Sequence, residues 1–209
     1  MAGAALSDFV VEVLTFMSCS EIPCPNNSRQ PTPVGRAFCI CEPLARRGCA
    51  GWLACTMRDC IQKVISELQT LRSPNIQQTL LESTLLIEKY TETGDWRGVS
   101  PNVDDADVSA DEIAELRQTL IDFTRKHPEH PDVGTAIWAL SKLFDESLRD
   151  FFLSEMRRHV DAGRVHPVWQ ADCALGNLGE SVGYDYSPGE KSHNQYFDAV
   201  RQYLHKHSK

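Results

Sequence analysis

Eight cysteines are the residues best equipped for chemistry in this 209-residue chain, and seven of them lie between Cys19 and Cys60. Structural zinc is usually held by paired thiolates or imidazoles at fixed spacing, so a strong signal is two C-x-x-C knuckles. Here four residues separate Cys19 from Cys24, one separates Cys39 from Cys41, and four separate Cys55 from Cys60. None is a standard knuckle, and all seven histidines fall after residue 126. Reduced thiols in an N-terminal arm are the expectation, with a Cys-only zinc or thiol-redox site as the alternative. Cys173 stands apart and reads as a small packing residue.

The histidines form two short-range pairs, His127 with His130 and His205 with His207. Neither has a cysteine or carboxylate at a fixed offset to complete a metal site, so both read as solvated surface groups. No serine is expected on a nucleophile elbow, because nothing local organises serine, histidine and acid together. Glycine-rich phosphate loops of the G-x-x-x-x-G-K-[ST] or G-x-G-x-x-G kind are missing. Asp104, Asp105 and Asp107 fall in an expected loop, where carboxylates usually solvate a connection. The residues therefore predict no enzyme and no cofactor.

Binding is the better use of the remaining unusual residues. Lys and Arg total 21 against 29 Asp and Glu, a net charge of −8, so a large nucleic-acid footprint is not expected. Acids concentrate in two groups, Glu82 to Asp95 and then Asp104, Asp105, Asp107, Asp111, Glu112 and Glu115. Such a surface attracts basic partners and speeds their docking, although acidic excess also serves solubility. Trp138 and Trp169 lie off the apolar face of their helices at 100° per residue. Together with Asp104, Asp105, Asp107 and Asp111 they are the candidate partner contacts. Burial against a neighbouring helix pair is the competing reading of either indole.

These residues must be positioned by a chain that changes character near residue 56. Residues 1–56 hold four Arg (29, 36, 46, 47) and four acids (8, 12, 21, 42), so the whole negative charge lies beyond them. From residue 18 to 54 no helical or alternating period is sustained, and Pro23, Pro25, Pro31, Pro33 and Pro43 interrupt regular structure. Three readings of residues 1–56 stand: a false start ahead of Met57, an irregular arm packed through Phe9–Phe16, and a metal-binding appendage. The first 18 residues lack the basic start and unbroken apolar core of a secretory leader, which sets the cytoplasm as the expectation. No apolar run approaches the length of a membrane span.

From Met57 the pattern is helical. Met57, Ile61, Val64, Ile65, Leu68 and Leu71 form one stripe. A second helix runs from Ile76 towards Gly94. A loop over 95–108 is followed by a capping box at Ser109 and Glu112, which opens a third helix through Phe123. Further helices are expected over 133–144, 148–160, 167–178 and 196–204, with a Gly/Ser/Pro loop over 179–191. The fold class is all-α: short antiparallel helix pairs, stacked as a solenoid or gathered as a bundle over residues 57–209.

Two of these segments repeat. His130-Pro131-Asp132-Val133 precedes Ala136, Ala139, Leu140 and Leu143; His166-Pro167-Val168 precedes Ala171, Ala174, Leu175 and Leu178. The recurrence of Val, Ala, Ala, Leu and Leu resembles the second helix of HEAT-like repeats, over about residues 113–180. Glu82 breaks a weaker third copy beginning at Pro74. The resemblance implies stacked helix pairs with one helix of each lining a concave binding surface. A small acidic helical chain without a catalytic kit also resembles, in type alone, the bacterial immunity proteins that neutralise toxins. An inhibitor that occludes a basic toxin is the most concrete expectation, and a general assembly scaffold is the other.

Overall fold

The computed structural model describes residues 59–186 and 193–207, and every regular element among them is helical. The helices are α1 (Asp59–Thr70), α2 (Ile76–Thr91), α3 (Pro101–Asp104), α4 (Ala110–Lys126), α5 (Val133–Ser141), α6 (Arg149–Asp161), α7 (Val165–Asn177) and α8 (His193–Lys206). No helix among them is long and apolar enough to cross a membrane. The cysteine-rich arm over 1–56 lies outside the described residues.

Local chemistry sets the boundaries. The Asn75 side chain accepts the Gln78 N–H at 3.2 Å and opens α2, while Glu92 closes it at φ 55°. The expected capping box is present: Ser109 Oγ accepts the Glu112 N–H at 3.3 Å, and Glu112 accepts the Ser109 N–H at 3.0 Å. Each such exchange satisfies helix-end donors that would otherwise be lost to folding. Asp145 accepts the Ser147 N–H at 2.9 Å and seeds the 3₁₀ turn Glu146–Leu148 that leads into α6.

Short links make chain neighbours into packed partners: α1 with α2, α4 with α5, and α6 with α7. Across pairs, α1 packs on α4, α2 on α5, and α5 on α7, while α8 closes against α6. Thus α2, α5 and α7 form a row with α1 and α4 on its other side. The matched positions are buried alike: Val133, Ala136, Ala139 and Leu140 on α5, and Val168, Ala171, Ala174 and Leu175 on α7. Leu143 and Leu178 are half-buried in both copies. Alanine permits this approach, and Gly134 takes it furthest. A Cβ at Gly134 would lie 2.5 Å from Nδ1 of His166 on α7.

Two expected boundaries need correction. The segment 95–108 is not a plain loop, because it contains α3 and buries Val103 and Ala106. Pro101 supplies a favourable first residue for that turn, and Lys89 fastens it to α2 by donating to the carbonyls of Val103 (2.9 Å) and Asp104 (2.7 Å). The helix expected to run to Phe144 ends at Ser141, and Phe144 adopts φ 51°. A side chain in that left-handed region cannot continue a right-handed helix.

Candidate functional site

The acidic stretch from Glu92 to Glu115 is held in shape by its own backbone. Gly94, at φ 70°, brings the chain so close to α2 that a Cβ there would lie 2.5 Å from the Glu88 carboxyl carbon. Only glycine fits that combination of conformation and contact. Gly98 N–H then donates to both carboxylate oxygens of Asp104, each at 3.0 Å. Asp104 is thus half-buried and occupied in shaping the loop, whereas Asp105, Asp107 and Asp111 are exposed. Between residues 92 and 115 there are eight acids and one base, Arg97. The Arg97 guanidinium lies over the Trp96 ring, 4.7 Å from its centroid. Arg97 is itself exposed, whereas the nearby Lys89 is turned inward to carbonyl oxygens, so acids outnumber the solvent-facing cations here.

Trp138 is joined to this region through charge. Lys142, which caps the C-terminal end of α5, sits 4.0 Å from the Trp138 ring centroid and pairs with Glu88 of α2 at 2.8 Å. Both partners of that pair are nearly buried, so removing either would leave an uncompensated charge. Trp138 itself is half-buried, and one ring face carries the ammonium of Lys142. Trp169 is half-buried too, but it lies on α7 and packs against the apolar core. Thus Trp138 is linked through Glu88 to the acidic stretch, whereas Trp169 belongs to the next helix pair.

Several polar clusters were not read from the sequence. Glu155 and His159 on α6 are fully buried, with His159 Nε2 3.4 Å from Glu155 Oε2. That approach is not aligned as a hydrogen bond, and both His159 ring nitrogens lack a partner. Arg158 pairs with Glu155 at 3.2 Å. Glu155 also borders a cleft of about 400 Å³ between α4 and α6, with Arg117, Arg125, Ser147 and Phe151 among its walls. The available sequence signal was position: Glu155 and His159 fall on the same buried stripe as Phe152 and Met156.

The C-terminal helix is held by tyrosine hydroxyls. Tyr196 donates to Asp172 at 3.0 Å and Tyr203 to Glu180 at 2.6 Å. Tyr186 stacks on Tyr196 at 4.3 Å. Burial raises the Asp172 pKa to about 6, against the lowering effects of the Tyr196 hydroxyl and the Val182 N–H. Glu180 is shifted the other way, chiefly by its hydrogen bond with Arg149. The sequence Gly179-Glu180-Ser181-Val182-Gly183 spells G-x-S-x-G, a match that the expectation of no elbow passed over. It follows helix α7 instead of a strand, and Ser181 Oγ accepts the Gly183 N–H at 3.0 Å. The strained strand-to-helix turn that makes such a serine a nucleophile is therefore absent from this segment.

The histidine pairs are partly engaged. The rings of His127 and His130 both contact Phe123, and His207 stacks on Tyr203 at 4.3 Å. His166, packed near Gly134, has its pKa lowered by burial, with Asp132 opposing that effect. Among the described residues no three His, Cys, Asp or Glu side chains are grouped to hold a metal ion. Comparison of the chain with protein-family models, with curated proteins and with solved structures found no match.

Proposed function

We propose that this chain is a non-catalytic protein-binding domain, most concretely an immunity-type inhibitor that covers the working surface of a basic toxin. The observation that carries the reading is the acidic stretch. Eight acids and one base lie between residues 92 and 115, and Asp105, Asp107 and Asp111 are exposed. Electrostatic complementarity of this kind accelerates encounter and rejects partners of like charge. The stacked pairs supply a rigid support, and the HEAT-like resemblance of α5 and α7 agrees with a binding role.

The test uses the full-length chain as bait in native lysate beside an Asp105→Lys/Asp107→Lys/Asp111→Lys variant. The expected result is one dominant basic protein captured one-to-one by the unaltered chain and lost from the variant. That protein should arrest growth when expressed alone and be neutralised by co-expression. Equal capture by both baits would overturn the acidic docking surface. Several partners bound at similar, weaker levels would favour an assembly scaffold.

A further inference from the structure

Large apolar side chains left exposed on a folded domain need a reason when they sit beside a strong charge field. Tyr90, near the end of α2, and Val99, within the acidic stretch that follows, are 43% and 61% exposed. Lys89, next to Tyr90, holds α3 from below, and Gly98, next to Val99, is fixed on Asp104. The two apolar groups are thus presented on backbone whose neighbours are anchored. Such anchoring reduces the ordering cost of making a contact.

We infer that the surface between the end of α2 and the start of α4 docks a basic polypeptide segment carrying an apolar side chain. Tyr90 and Val99 supply the apolar contacts; Asp105, Asp107 and Asp111 supply the charged rim. The inference rests on the reading of the chain as a binder of a basic protein, and it assigns that binding to a place. Charge complementarity selects the occupant. A nucleic acid or an anionic lipid surface would meet like charge here, because eight acids face one base, Arg97, between residues 92 and 115 and Lys89 is turned to carbonyl oxygens. A bare metal ion is not the fit, since no metal-holding group of acids exists among the described residues. Arginine side chains can pair with the aspartates, leaving Tyr90 and Val99 to the apolar side chain.

Two labelled probes test this with the full-length protein: a peptide of ten arginines, and the same peptide with two leucines inserted. The Tyr90→Ser/Val99→Ser variant should lose about tenfold in affinity for the leucine-bearing probe and keep its affinity for the other. The Asp105→Lys/Asp107→Lys/Asp111→Lys variant should lose both. Far-ultraviolet circular dichroism checks that each variant retains its helices, and Val99→Ser alone replaces the double variant if it does not. Unchanged binding of the leucine probe to the apolar variant would overturn the contacts at Tyr90 and Val99 while leaving the basic-partner reading intact. Unchanged binding of both probes to the charge variant, or no saturable binding to the unaltered chain, would overturn both.

Discussion

Asp172 and Glu180 both accept a tyrosine hydroxyl from α8, yet their environments move them in opposite directions. Burial raises Asp172 from its ordinary value of 3.8 to about 6, whereas the hydrogen bond with Arg149 leads the lowering of Glu180. For Asp172 the folded chain binds the proton more tightly than the unfolded chain. Its contribution to stability is therefore full below about pH 4 and is lost as pH rises through about 6. For Glu180 the sign reverses, and its contribution is lost as pH falls. Asp172→Asn isolates the first effect, because it removes the charge while its amide oxygen can accept the Val182 N–H and its amide nitrogen can donate to the Tyr196 hydroxyl oxygen. Relative to the unaltered chain, this variant should gain stability between pH 4 and 8 by on the order of 2–3 kcal/mol. Denaturant unfolding of both chains across that range measures the gain, and a difference independent of pH would refute the burial argument.

At the scale of elements, the contact between α5 and α7 depends on Gly134 meeting the His166 ring. Gly134→Ala sets two effects against each other. Alanine favours a helix interior by about 1 kcal/mol, but an overpacked contact costs about 1–3 kcal/mol. The single variant should be destabilised, and adding His166→Ala should recover that loss, since the ring then no longer occupies the space. A double-mutant cycle by denaturant unfolding checks the coupling, and strictly additive changes would show that the ring is not the obstacle. These helices were legible because Val, Ala and Leu recur at positions buried alike in both copies. The Ser109–Glu112 cap was legible because its hydrogen bonds are local. The turn at α3 was not, since its closure needs Lys89 from a preceding helix. Nor was the Asp172–Tyr196 contact, which joins residues 24 apart in sequence. Of the candidate contacts, the exposure of Asp105, Asp107 and Asp111 followed from their polar setting. The inward roles of Asp104 and of Lys142 on Trp138 depended on tertiary partners.

For the molecule as a whole, charge is unevenly placed. The net charge is −8, and the eight acids and single base between residues 92 and 115 contribute most of it. If this end captures a basic partner, much of the effect should lie in the rate of encounter, because exposed charges act over distance before any contact forms. Raising ionic strength from about 0.01 M to 0.15 M shortens the screening length from about 30 Å to 8 Å. With the partner captured by the full-length chain, association should slow by about tenfold over that range, while dissociation changes little. The Asp105→Lys/Asp107→Lys/Asp111→Lys variant should associate slowly at low salt and show a much flatter salt dependence. Stopped-flow or surface-binding kinetics at several salt concentrations separates the two rate constants. A salt effect confined to dissociation would instead indicate ion pairs desolvated within the complex, and long-range attraction by the 92–115 surface would then be the wrong account of its charge.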